Sequence, residues 1–170
     1  ESSIDTGIPF MDHMLTLFAR HGFFDLEIKA RGDIQVDYHH LMEDLGLVLG
    51  EALSKAVGDK ASIRRYGHVI LPMDEALVLV ALDLSGRPFL AYDLQPPSSR
   101  VKDIDSALFN EFFRAFTNKA AINLHIKMLS GEEIHHVFEA VFKGLAKALS
   151  QAVSLDERIK GVLSTKGSLD

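Results

Sequence analysis

Apolar residues recur along this 170-residue chain with two periods, and the periods alternate in blocks. Met14, Leu15 and Phe18, like Phe112, Phe113 and Phe116, follow three- and four-residue steps, the spacing of an amphipathic helix. Asp12 and Ser106 stand where such helices take their caps. Residues 24–30 and 122–128 alternate apolar with polar and predict short strands. A second, longer helix then opens in each case at a pair of histidines. Its apolar stripe is Met42, Leu45, Leu49, Ala52, Leu53 and Ala56 in one copy, and Phe138, Val141, Phe142, Leu145, Leu149 and Ala152 in the other. Gly58-Asp59 ends the first of these helices. Between the blocks, the β-rich run 76–82, a turn at 83–88 and a return over 89–94 predict a hairpin. Residues 95–99, Gln-Pro-Pro-Ser-Ser, form a short linker.

The blocks are copies. Asp25-Leu26-Glu27-Ile28-Lys29 matches Asn123-Leu124-His125-Ile126-Lys127, 98 positions on, and His39-His40 matches His135-His136, 96 positions on. Ala52-Leu53-Ser54 returns as Ala148-Leu149-Ser150, and Asp12-His13-Met14-Leu15 aligns with Asn110-Glu111-Phe112-Phe113. A duplicated helix–strand–helix unit predicts an α+β fold of two similar layered halves, about 1–66 and 67–170, forming a single domain with two sheets and helices packed on one side.

Composition changes the picture in three ways. There is no cysteine, which excludes disulfides, thiolate zinc sites and a cysteine nucleophile. A net charge of −6 with scattered Lys and Arg argues against a nucleic-acid partner. No apolar run reaches membrane-spanning length and nothing resembles a signal peptide, so the expectation is no membrane partner and a cytoplasmic protein, or a plastid one in a plant. The count of eight histidines is the unusual feature.

Two histidine pairs carry the chemistry: His39-His40-Leu41-Met42-Glu43 and His135-His136-Val137-Phe138-Glu139. On a helix at about 100° per residue, the glutamate projects between its two imidazoles, at about 40° from the first. Imidazole with carboxylate suits Mn, Fe, Zn or Ni better than Mg or Ca. Neighbouring imidazoles that diverge by about 100° do not readily chelate one ion, so each is expected to serve a different metal. One such motif is ordinary in a polar helix start; two in one chain are not. With His13 before the first helix and His125 on the second strand, six histidines and two glutamates could complete two three-His, one-Glu sites. His68 lies in a plain strand-like stretch and reads as structural. Arg65, Arg87 and Lys166, with Ser164 and Thr165 beside the last, sit in loop contexts that suit a phosphate, although each alone is commonly a solvated charge.

Several segments resemble imidazoleglycerol-phosphate dehydratases. They are Thr6-Gly7-Ile8-Pro9-Phe10-Met11-Asp12-His13, Ala19-Arg20-His21-Gly22, both histidine pairs with their glutamates, Pro72-Met73-Asp74-Glu75-Ala76-Leu77, Ser85-Gly86-Arg87-Pro88, Phe142-Lys143 and Ser164-Thr165-Lys166-Gly167. The resemblance runs through the whole chain. It implies a hydro-lyase of histidine biosynthesis that converts imidazole glycerol phosphate to imidazole acetol phosphate, two Mn2+ per site holding the ring as imidazolate. It also implies duplicated βαβ-type repeats of the ribosomal protein S5 domain 2-like fold, and a homo-oligomer of 24 subunits built from trimers, with sites at subunit interfaces. Carried onto this sequence, the metal ligands are His13, His39, His40, Glu43, His125, His135, His136 and Glu139. The phosphate contacts are Arg65, Arg87, Ser164 and Lys166, and Thr165 also touches the substrate. His21 and Lys143 complete the substrate pocket, which His13, His39, Glu43, His135 and Glu139 also line. Glu43, Glu139 and His21 are the candidates for moving protons. Leu17 departs from the glutamine of many members, which puts one substrate hydrogen bond in doubt, and Leu41-Met42 departs from the usual Thr-Val.

Two other functions use similar residues. A metallohydrolase of a small phosphorylated substrate needs a water-activating, carboxylate-rich site, and a non-catalytic metal-binding assembly needs no phosphate-binding cations. The repeat arithmetic adds one expectation: the counterpart of the 77–94 hairpin falls before residue 1. Relatives of the resembled family carry a strand pair there, with a glutamate near the substrate. This chain is therefore expected to lack those strands, to expose a sheet edge, to bind metal and to turn over slowly.

Overall fold

The computed structural model describes residues 2–169. Strand β1 (Ser2–Asp5) leads into helix α1 (Pro9–Gly22), which starts three residues ahead of the expected cap. Pro9 accounts for this, because its fixed φ and missing N–H suit the first helical position. Asp12 does not cap the helix. Its Oδ1 accepts the Thr6 N–H at 2.8 Å and the Thr6 hydroxyl at 2.6 Å, tying the end of β1 to the first turn. The chain returns through β2 (Leu26–Lys29), parallel to β1. Helix α2 (His39–Val57) opens at the first histidine pair and stops at Gly58, whose φ of 59° favours glycine.

The second half begins with β3 (Tyr66–Met73) and β4 (Ala76–Asp83), an antiparallel hairpin turning at Asp74-Glu75. Then come β5 (Phe89–Asp93), the small ribbon β6 (Arg100–Val101) and β7 (Ile104–Asp105), and α3 (Ala107–Ala120). Ser106 is at the cap position of α3, but its side chain makes no capping bond. Strand β8 (Asn123–Ser130) and helix α4 (Ile134–Val153) finish the regular structure.

The expected 77–94 hairpin is not formed. Strand order is β3-β4-β8-β5, with β8 antiparallel to β4 and parallel to β5. Strand β8, with Leu124 and Ile126 fully buried, takes the centre. The connection from Asp83 to Phe89 is long enough to pass one strand, about 10 Å across two strand spacings. The true hairpin partner of β4 is β3.

Both halves contain a parallel βαβ unit followed by a long helix: β1-α1-β2-α2 and β5-α3-β8-α4. The helices pack crosswise, α1 on α4 and α2 on α3. Between them lies a phenylalanine core in which Phe109 and Phe138 stack at 4.0 Å between ring centroids. The sheet of the first half has two strands among the described residues, and an apolar cleft lined by Phe18, Phe24, Leu49, Leu53 and Leu149 opens beside it.

Helices α2 and α3 approach closely because α2 presents glycine. A Cβ on Gly46 would meet the Phe112 carbonyl oxygen at 2.4 Å, and one on Gly50 the Phe116 carbonyl oxygen at the same distance. Gly46→Ala is therefore expected to destabilise the protein by about 1–3 kcal/mol through overpacking. Val48→Ala, on the exposed face of the same helix, should stay within about 0.5 kcal/mol. Denaturant unfolding of the two variants checks the contrast.

Candidate metal centre and phosphate pocket

Where α1 and α4 begin, their packing brings three of the proposed ligands together. His13 Nε2 lies 2.9 Å and His135 Nε2 3.1 Å from the same oxygen, Oε1 of Glu139. Ligand atoms of the three all fall within 4.8 Å of one another, a donor set that could hold a metal ion. Two imidazole nitrogens and a carboxylate oxygen fit a divalent first-row transition metal. Phe10 packs edge-on against the His135 ring, and Lys143, one turn along α4, hydrogen-bonds the other oxygen of Glu139. Burial pushes the Glu139 carboxyl up, but hydrogen bonds from Lys143, His13 and His135 outweigh it and lower its pKa to about 2. His21 moves the other way from its usual value: partial burial, then the charges of Lys143 and Lys147, lower its pKa and favour the neutral ring.

The remaining candidate ligands do not join this cluster among the described residues. His39 Nε2 approaches Glu43 Oε2 at 3.8 Å on the exposed start of α2. His125 is exposed on β8, with its ring 5.6 Å from that of Phe89. Ring planes meet at 90° in His39–His40 and at 83° in His135–His136. The first histidine of each pair faces its glutamate, and the second faces a different carboxylate. His40 Nδ1 is 2.9 Å from Asp33, and His136 Nδ1 is 2.8 Å from Glu75. Neither acid was singled out by spacing, since both reach the histidines from separate loops. Glu75 did lie inside a family-like segment. The His136 hydrogen bond, reinforced by the Glu133 backbone N–H, lowers the Glu75 pKa to about 2.

Arg65, Arg87, Ser164, Thr165 and Lys166 line one cleft, with Arg158 and Lys160 at its edge. Asp83 anchors Arg65 through both carboxylate oxygens, at 2.7 and 3.0 Å, and Arg65 Nη1 donates to the Leu163 carbonyl at 2.7 Å. The Ser164 hydroxyl accepts the Lys166 N–H at 3.2 Å, and Gly167 turns with φ 78°. This pocket lies at the opposite end of the sheet from the metal cluster. Arg65 N–H bonds the Ala152 carbonyl near the end of α4, whereas Glu139 sits in its first two turns.

A duplicated α+β frame joins a His–Glu cluster that could hold a metal ion to a separate cationic pocket of the kind that suits an anionic group. Residues 6–149 match the model of the family described as imidazoleglycerol-phosphate dehydratase. The imidazoleglycerol-phosphate dehydratase of a Geobacter species is 54% identical over 169 residues, 99% of this chain and 87% of the relative. The structure of the Staphylococcus aureus dehydratase superposes with a TM-score of 0.86 at 41% identity, covering 91% of this chain and 88% of that one. That of Pyrococcus furiosus gives 0.88 at 41%, covering 99% and 91%. The chain belongs to the imidazoleglycerol-phosphate dehydratase family and is an enzyme of that kind.

The charge balance at Glu139 has a measurable consequence. Its folded-state pKa lies below the ordinary 4.5, so the stability it contributes is present above about 4.5 and is lost as pH falls toward 2. Metal-free protein should weaken over that window, and Glu139→Gln should weaken less. Urea unfolding at about pH 6 and about pH 3 checks whether the gap between the two proteins narrows on acidification.

Proposed function

We propose that this enzyme dehydrates imidazole glycerol phosphate to imidazole acetol phosphate in histidine biosynthesis, using two Mn2+ per site. The sites form between subunits of a homo-oligomer, 24 chains built from trimers, in the cytoplasm. One observation carries the shared site. Thirteen helical steps lead from Glu139 to Ala152, a distance of roughly 20 Å, whereas a three-carbon chain joining an imidazole to a phosphate spans less than roughly 10 Å. One chain therefore does not offer its metal cluster and its phosphate pocket to the same substrate molecule.

His13, His135 and Glu139 would hold metal with His39, His40, Glu43, His125 and His136 drawn from the assembly. Bound Mn2+ supplies Lewis acidity that turns the imidazole ring into an electron sink. Arg65, Arg87, Ser164, Thr165 and Lys166 bind the phosphate and fix the ring's approach. The reaction removes one carbon-bound proton and the neighbouring hydroxyl as water, and the enol left behind tautomerises to the ketone. Of the three proton-transfer candidates, His21 is the best acceptor, because its neighbours favour the neutral ring. Glu139 is held as an anion by Lys143 and both imidazoles, which makes it the weaker base. Glu43, exposed and loosely paired, is available for the second transfer.

Incubation with imidazole glycerol phosphate and Mn2+ should yield the ketone, and chelation should abolish turnover. Release of inorganic phosphate instead would identify a hydrolase. Metal uptake with no product at all would leave a binding assembly. Lys166→Met should raise KM by about 10- to 100-fold with a smaller effect on kcat, the loss expected for one charged hydrogen bond. Steady-state kinetics on the reassembled variant measures this.

A further inference from the structure

We propose that Asp33 and Glu75 are positioning residues of the metal centre. Each fixes the second histidine of a pair so that Nε2 is its ligand atom. The inference rests on the metal-binding reading above.

His40 and His136 meet their carboxylates through the same nitrogen, Nδ1, at 2.9 and 2.8 Å. An ionised carboxylate only accepts, so Nδ1 carries the proton and Nε2 keeps its lone pair for a metal. The first histidines are treated differently: His135 turns Nε2 toward Glu139, and His39 turns Nε2 toward Glu43.

The two acids occupy unrelated places. Asp33 lies in the connection between β2 and α2, and Glu75 in the turn between β3 and β4. Moved 96–98 positions along the chain, Asp33 falls on Leu129 to Gly131, none of them acidic. Duplication alone therefore does not produce the second contact, and the chain builds the same interaction twice by separate routes. Glu75 is itself held by a second set of bonds, its Oε1 accepting the Glu133 N–H at 2.8 Å and the Glu132 N–H at 3.2 Å. The backbone of each pair is steadied in matching fashion, Asp37 accepting the His39 N–H at 2.8 Å and Glu133 the His135 N–H at 2.9 Å. A purely structural role gives Asp33 little to do, because its pair with His40 is largely exposed and such pairs add little stability.

The test uses the full-length protein stripped of metal, with Asp33→Ala and Glu75→Gln. Mn2+ binding is measured by calorimetry, the visible spectrum of the Co2+-loaded protein reports ligand geometry, and the melting temperature of the metal-free form reports folding. Each variant should bind Mn2+ roughly 10- to 100-fold more weakly and shift the Co2+ bands, while metal-free Asp33→Ala melts as the parent does. Asp33→Ala decides the matter if Glu75→Gln, which also disturbs the start of α4, unfolds. Unchanged Mn2+ affinity and Co2+ bands in Asp33→Ala would overturn the proposal, and so would a loss of affinity that only tracks a lower metal-free melting temperature. Failure of the parent protein to take up either ion would instead overturn the metal-binding reading itself.

Discussion

Helix α4 is the rigid rod on which the account depends. Its 20 residues run without interruption from the histidine pair to the edge of the phosphate pocket. Glycines on both elements hold it flat on the sheet: a Cβ on Gly144 of α4 would meet Val80 at 2.8 Å, and the Ala148 carbonyl leaves no room for a Cβ on Gly67 of β3. A helix pinned in this way neither bends nor slides to bring its ends together. Separation of the two clusters is thus built into the packing, and under the proposed function a site that needs both would draw them from different copies of the chain.

The second constraint is electrostatic. Glu139 is nearly buried, which by itself disfavours its charge, yet three donors converge on its two oxygens. The carboxylate organises His13 and His135 around one point and holds Lys143 beside them. Partial burial, and after it the same lysine, lower the pKa of His21. A few charges on two helices thereby set both the donor set for a cation and the protonation of a neighbouring base.

Much of this was legible from sequence. The helix starts at His39 and His135 were marked by the motif itself, to within a residue, and the duplication was visible because both copies kept their apolar stripes. Strand partners were harder to read. Residues 76–94 read as a hairpin because sequence neighbours usually pair, but β8, which buries Leu124 and Ile126 where β5 buries no residue, lies between β4 and β5. Asp12 looked like a cap, yet Pro9 had already started the helix. The pairing of His39 with Glu43 and of His135 with Glu139 was readable because spacing along one helix encodes direction. Asp33 and Glu75 were not, because their role comes from loops folding back onto a helix, which no periodicity records. Nor did spacing show that the His13–His135–Glu139 cluster and the cleft of Arg65, Arg87 and Lys166 lie apart.

Subunit complementation tests the shared site most directly. Glu139→Gln damages the metal cluster and Lys166→Met the phosphate pocket, and each variant alone should be nearly inactive at limiting substrate. The two are mixed in equal amounts, dissociated by chelation at mildly acidic pH and reassembled with Mn2+. If each site takes its metal cluster from one chain and its phosphate pocket from another, about a quarter of the sites regain an intact set and activity returns to match. If activity stays at the level of the unmixed variants although mixed oligomers form, both centres belong to one chain and the account is wrong.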